Sequence, residues 1–537
     1  MMGSPVVVRS PPPLPSTSAL SPRPQVQKKP VEQVLETAQV SETNQTPLAP
    51  HQANSGLQFL RQLVQPMDPN KLPLLRPTAW NIGSRNLNIS SRSFIPSSII
   101  EVLSVEQMRL LADVYFRKVH PSYCFLRRDR LFHQIDERWM LKGELPDLSS
   151  PPQAYDAVLC GVAALGSYFS KANALPSGES HLIQLGQSIL DMTASAYALG
   201  PDIISGWVCR VIYLRMASEP LNVWLACCTT MNLLEAYQLH LRADADDAKD
   251  VSFPASNMSR TTCELLESSY EIVQHLGTWT AYELGMLQFH TGFKIIQPSY
   301  RSSDYINKAV SPGQKIMSLL PASLELIREQ DNKTLRQTLL DLVQTKDLEP
   351  TVVMAQGNLI LCIVRRLWSR GGFHKDGDQL LSKTLASLRR CFAAARQMIA
   401  DDCPWHHLAY VPFQIICILL AIDSHASLQM LAEAVETLKS VVLAYETRTI
   451  KEAYETVRKI LRLHQQRRAD DLRIFTEVLT ASDPAAAETT KSYYSSRPSE
   501  VNELPSFESW SDGLLRWEHM NLSNFFSDPS FTILSQL

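Results

Sequence analysis

VEQMRLLADVYFRKV, residues Val105–Val119, places apolar side chains at Val105, Met108, Leu111, Ala112, Tyr115, Phe116 and Val119, in steps of three and four. That spacing lines one face of a helix and does not fit the two-residue alternation of a strand. The same period returns in Tyr155–Phe169, Leu182–Ala198, Ile203–Ala217, Asn222–His240, Cys263–His290, Lys333–Val343, Val352–Arg370, Leu380–Ala400, Leu408–Ile422, Ser427–Tyr445 and Ile450–Gln465. Clusters of Pro, Gly and Asp separate these segments, and strand-like alternation closed by hairpin turns is scarce. The segments differ in length and share no motif, which speaks against a short-period repeat array. The expected fold is therefore all-α: a large multi-helix body over residues 101–475.

On either side of that body the composition changes. Residues 1–56 are rich in Pro, Ser, Thr and Gln, with the run Pro11-Pro12-Pro13. With so little apolar surface to offset the entropy of ordering, this segment is expected to be disordered. Residues 57–100 read as a linker, interrupted by the apolar stretch Leu57–Val64, which fits either a docking helix or a transient turn. A second linker, 476–500, leads to an acidic-aromatic tail, 501–537, where Phe507, Trp510, Leu514, Trp517, Phe525 and Phe526 stand among Glu508, Asp512, Glu518 and Asp528. Acids keep such aromatics solvated until they fold onto an apolar groove, so the tail fits an activation segment. It also fits a tail docked on the body through its tryptophans.

Bulk numbers exclude several classes. Fifty-one basic residues against 54 acidic ones leave a net charge of −3, with no electrostatic footprint for nucleic acid or for a membrane surface. The longest apolar run, near Phe413–Ile422, is far short of the roughly 20 residues a membrane span needs. Ten cysteines are scattered through apolar stretches, as in Cys160, Cys209, Cys227 and Cys362, which fits a reducing intracellular compartment.

Catalytic signatures are missing as well. There is no Gly-x-Ser-x-Gly elbow, no Gly-Lys-Ser/Thr phosphate loop, no Gly-x-Gly-x-x-Gly turn and no His-Glu-x-x-His helix. Asp244, Asp246 and Asp247 spell an Asp-x-Asp-Asp that could protonate an alkene in a lyase or cyclase, provided an apolar cavity keeps one carboxyl neutral. Their place in the Ala- and Asp-rich stretch Arg242–Asp250 reads instead as a solvated loop after a helix. Cys403, His406 and His407 offer soft and imidazole ligands, but a structural zinc site needs four and no second pair stands at suitable spacing. Arg127, Arg128 and Arg130 are the densest basic patch, beside core-like Phe125, Leu126, Leu131 and Phe132, and read as a helix edge. Neither enzyme chemistry, cofactor nor metal is expected.

One set of motifs points to a family. Tyr115, Phe116, His120 and Pro121, followed by Phe125-Leu126 and Leu131-Phe132, resemble the opening of the fungal-specific transcription factor domain, or middle homology region, of binuclear zinc cluster regulators. Ala157–Phe169 looks like the family's second helix, and Trp224 through Leu239 and His240 like the helix that usually ends in Leu-Gly-Leu-His. Trp405-His406-His407 through Phe413, then Ser427–Tyr445, is similar to the C-terminal part of one branch. Asn232 and Gln238 stand where the family usually carries Arg and Gly.

The resemblance implies a nuclear regulator with an α-helical regulatory body, tied to a pathway such as nutrient use or a secondary-metabolite cluster. Its implied partners are the transcription machinery or a DNA-bound factor, with a homo- or heterodimer and a small-molecule effector both compatible. Members begin with a six-cysteine zinc cluster, whereas the first cysteine here is Cys124, so DNA is expected to be reached indirectly or through a segment upstream. The rival expectation is an adaptor that binds or inhibits a DNA-bound factor.

Overall fold

Ser104 starts the first long helix with a reciprocal cap: its hydroxyl accepts from the Gln107 N–H at 3.3 Å, and Gln107 Oε1 accepts from the Ser104 N–H at 3.0 Å. Such a box satisfies two of the donors that a helix start leaves without partners. The computed structural model describes residues 55–64, 98–139, 154–171, 175, 178–194, 199–247, 260–285, 311–326, 330–345, 348–371 and 379–482. All belong to the unit Pro50–Leu537; a second unit, Met1–Ala49, falls outside them.

Among the described residues regular structure is helical, and the all-α expectation holds. In chain order the helices are α1 (Gly56–Val64), α2 (Val105–Lys118), α3 (Arg128–Trp139), α4 (Asp156–Tyr168), α5 (Gly178–Ala194), α6 (Pro201–Ala217), α7 (Pro220–Asp247) and α8 (Arg260–Leu284). There follow the short α9 (Pro312–Met317) and α10 (Leu320–Glu325), then α11 (Asn332–Gln344), α12 (Pro350–Ser369), α13 (Gln379–Ala400), α14 (His407–Ile422), α15 (His425–Tyr445) and α16 (Arg448–Ser482). None of these helices is long and apolar enough to cross a membrane.

Four helices make the centre. α4 is buried along its whole length, α6 and α12 along nearly all of theirs, and α14 from His407 to Leu420. A helix that is apolar all round must be enclosed by others, and these are. α4 packs on α2, α5 and α6, while α12 packs on α11, α13 and α14. α8 reaches both groups, through α6 and α7 on one side and through α9 and α10 on the other. α2 crosses closely on α4, where a Cβ on Gly166 would stand 2.3 Å from the Leu111 carbonyl oxygen.

The stretch Leu57–Val64 is a docked helix: Phe59, Leu60, Leu63 and Val64 are buried, α1 packs on α14, and Phe59 meets Trp368 edge-on at 5.4 Å. Two helices run past the segments expected for them. α7 continues past His240 to Asp247, so Asp244, Asp246 and Asp247 lie on a helix and not in the loop expected for them. Ala243, Ala245 and Arg242 have high intrinsic helix propensity, which apolar periodicity does not register. α16 likewise runs on past Gln465 to Ser482.

Candidate functional site

Where α2 ends, the chain turns back through the residues that carry the family resemblance. Tyr115 is buried and meets Phe116 edge-on at 5.3 Å; the Phe116 ring lies 4.9 Å from His120 and 6.2 Å from Phe132 of α3. Burial pushes the His120 imidazole below its ordinary pKa, and Cys124 Sγ lies 3.3 Å from its Nε2. The turn is clasped from outside: the Gly313 N–H donates to the Pro121 carbonyl at 2.8 Å. A Cβ on Gly313 would meet Ser122 O at 2.9 Å, so only glycine allows this approach.

Tyr123, next in the turn, leads into the interior. Its ring is 5.3 Å from Trp405, which also meets Phe169 at 5.3 Å. Trp405 stands two residues before α14, and behind it the rings of His406 and His407 lie 3.9 Å apart at a tilt of 40°, both buried. From α8 come His275, buried, and Glu283, which takes both guanidinium nitrogens of Arg215 on α6, Nη1 to Oε2 at 2.9 Å. From α12 comes Arg365, whose Nη1 donates to Gln414 Oε1 at 3.1 Å and whose guanidinium also bonds Tyr410. Segments far apart in the chain thus converge on one buried polar centre.

Electrostatics there follow from burial. Desolvation pushes the Arg215 guanidinium down most strongly, but the Glu283 carboxylate together with Tyr123 and Tyr410 outweighs it and the net shift is upward. Desolvation drives His275 down to about 3, assisted by the Arg215 charge. It drives His406 and His407 well below the ordinary imidazole range, again with help from Arg215 and from the neighbouring imidazoles. All three imidazoles are therefore neutral at physiological pH. His275 Nδ1, His406 Nδ1, His407 Nε2 and Trp405 Nε1 have no hydrogen-bond partner among the described residues. Beside them lies a cavity of about 10 Å³ lined by Ser122, Tyr123, His275, Met354, Trp405 and His407 among others. That is room for one water molecule and not for a substrate. As folded, the centre binds the N-terminal and C-terminal groups of helices to each other.

The structure brings Tyr115, Phe116, His120 and Pro121 to one turn and joins that turn to Trp405 through Tyr123. Trp224 is apart from them, half-buried on α7. Leu239 and His240 belong to α7, but their side chains lie outside the described residues, as does the tail with Phe507, Trp510, Leu514, Trp517, Phe525 and Phe526. Cys403 Sγ is 3.6 Å from the Asp401 carbonyl, and among the described residues no group of three or more His, Cys, Asp or Glu could hold a metal ion. In the basic patch, Arg128 pairs with Asp113 at 2.5 Å and Arg130 with Asp202 at 2.6 Å, which neutralises two of its three charges internally. His275, Arg215 and Glu283 carry no sequence motif. The available signal is a charge set in an apolar run, as in VIYLRMA around Arg215 and LCIVRRLW around Arg365 and Arg366.

No family model matches the chain. It is 32% identical over 489 residues to the protein RDR1 of Gibberella zeae, covering 89% of this chain and 84% of that protein. It is 29% identical over 447 residues to the transcription factor kojR of Aspergillus oryzae, covering 81% and 75%. To the protein RDR1 of Saccharomyces cerevisiae it is 26% identical over 417 residues, covering 76% and 71%.

Proposed function

Because the chain belongs to the family of fungal transcription regulators that includes RDR1 of Gibberella zeae and kojR, we propose a division of labour along it. The helical body within 101–475 is a regulatory domain of the middle homology type, and Phe507–Phe531 is the segment that recruits the transcription machinery in the nucleus. The body is not itself the DNA reader, since its densest basic patch is spent on Asp113 and Asp202. DNA is reached through a partner factor or through a segment outside the body, and the control is pathway-specific. The match to a relative named a transcription factor over 81% of this chain carries the functional reading.

Reporter output tests the division. The full chain fused to an unrelated DNA-binding domain is expected to activate a reporter, and the same fusion ended at Val501 to lose most of that output at equal nuclear abundance. Equal output from both would remove the activating role from the tail. Repression by both would make the chain an inhibitory co-regulator.

A further inference from the structure

We propose that α1 is a releasable latch, which closes over the buried polar centre from outside and exchanges between its seat and solvent while the rest of the body stays folded. The helices that supply the centre also make the seat. α1 packs on α14, which carries Gln414, and Phe59 meets Trp368 of α12, the helix of Arg365. Trp368 is itself pinned, its Nε1 donating to the Ala421 carbonyl at 2.9 Å. The Ser55 hydroxyl donates to the carbonyl of Glu283 at 3.1 Å, next to the last residue of α8. That bond sets the N-terminal end of α1 against the C-terminal end of α8, positive helix pole to negative.

Latch and centre touch at Gly56. A Cβ there would stand 2.4 Å from Gln414 Nε2 and 2.6 Å from its Oε1, so the α1 backbone lies directly on the amide, an approach that glycine permits. Gln414 is fully buried. Its Oε1 accepts from Arg365 Nη1 at 3.1 Å, and its Nε2 has no hydrogen-bond partner among the described residues. A buried amide donor left without an acceptor costs free energy that water returns once α1 lifts. The closed latch thus carries its own opening force, and opening it wets a side chain bonded to Arg365.

The hold on α1 is correspondingly modest. Phe59, Leu60, Leu63 and Val64 are its buried apolar side chains, while the helix has nine residues to order. Burial of four such side chains and ordering of nine residues are opposing terms of similar size, and a helix this short does not persist by itself in water. The chain between Val64 and Ser98 keeps a released α1 near its seat. With an effective concentration on the order of 1 mM and a docking helix of about 10–100 µM affinity, closed exceeds open by about 10–100-fold. Global unfolding lies much further away, at ratios of about 1,000 or more.

Hydrogen exchange of the full chain, read by mass spectrometry, tests release. Amides of Phe59–Val64 should be protected about 10–100-fold, against about 1,000-fold or more for α4 and α14, which open with the whole body. Protection of α1 equal to that of α14 would make it part of the core and overturn the proposal. A labelled peptide of residues 55–64 probes the seat. It should bind the Phe59→Asp/Leu63→Asp chain with a dissociation constant of about 10–100 µM and the wild type about 10-fold or more weakly, because α1 competes from within the chain. The same peptide carrying Phe59→Asp should bind neither. Equal binding to both chains overturns the proposal by removing the competition. So does a folded variant that refuses the peptide, since its seat has not persisted. Loss of helicity and of the melting transition in the variant overturns it too, since a latch leaves its body standing.

Discussion

Lowering the pH from 7 to 5.5 should destabilise this protein through His275, His406 and His407. Each is buried and held neutral, His275 with a pKa of about 3 and the others well below 6.5. In the unfolded chain each returns to about 6.5 and takes a proton as the pH falls past that value. Folded pKa values are lower than unfolded ones, so the stabilising contribution is complete above 6.5 and is lost progressively as pH falls toward the folded values. Each imidazole removes about 1.3 kcal/mol between pH 7 and 5.5, and the three together about 4 kcal/mol. Set against a typical stability of about 5–15 kcal/mol, that is a large fraction. Urea unfolding followed by circular dichroism at several pH values measures it, with His406→Gln/His407→Gln as the comparison. The double variant should keep only about one third of the slope contributed by the three imidazoles, with carboxylate titration common to both proteins. Parallel curves for wild type and variant would mean that the native imidazoles are already protonated or share their protons with water, contrary to the neutral state assigned to them.

Three other perturbations address separate parts of the body. Arg215→Met leaves Glu283 buried without its partner and should cost about 3–5 kcal/mol, with Glu283→Gln added to it restoring part of the loss; thermal melts of the single and double variants decide. Gly166→Ala drives a methyl into the Leu111 carbonyl and should cost about 1–3 kcal/mol or prevent soluble folding, whereas Ala164→Gly, without that clash, should cost less. Ser104→Ala removes one arm of the cap on α2 and should lower stability by about 1 kcal/mol, read from the urea midpoint at unchanged slope.

Helices are legible wherever an apolar face repeats, because burial itself imposes the period; Val352–Arg370 and Leu408–Ile422 come within a few residues of α12 and α14. Two kinds of helix are not. α3 spends its surface on Arg, Asp, His and Glu, and only Leu131, Ile135 and Arg138 are buried, too few to mark a period. The far end of α16 is exposed, so no burial there reports its helicity. The polar centre is half legible: Trp405, His406 and His407 stand out as a local run, but Arg215 meets Glu283 across 68 residues and His275 joins from a third helix. Pairings of that kind follow from helix crossings and leave only an isolated charge in an apolar run as a trace.

The docking of α1 sets a schedule for the protein's synthesis. Phe59, Leu60, Leu63 and Val64 leave the ribosome early, yet their seat on α14 begins at His407 and the Ser55 hydroxyl bonds the carbonyl of Glu283. Roughly 340 residues must be added before that seat exists, which takes about 20–70 s at 5–20 residues per second. For that interval the apolar face of α1 lacks its seat on α14, an exposed surface of the kind that chaperones shield. Heat or starvation that depletes them should lower the yield of active regulator before any change in the stability of protein already made.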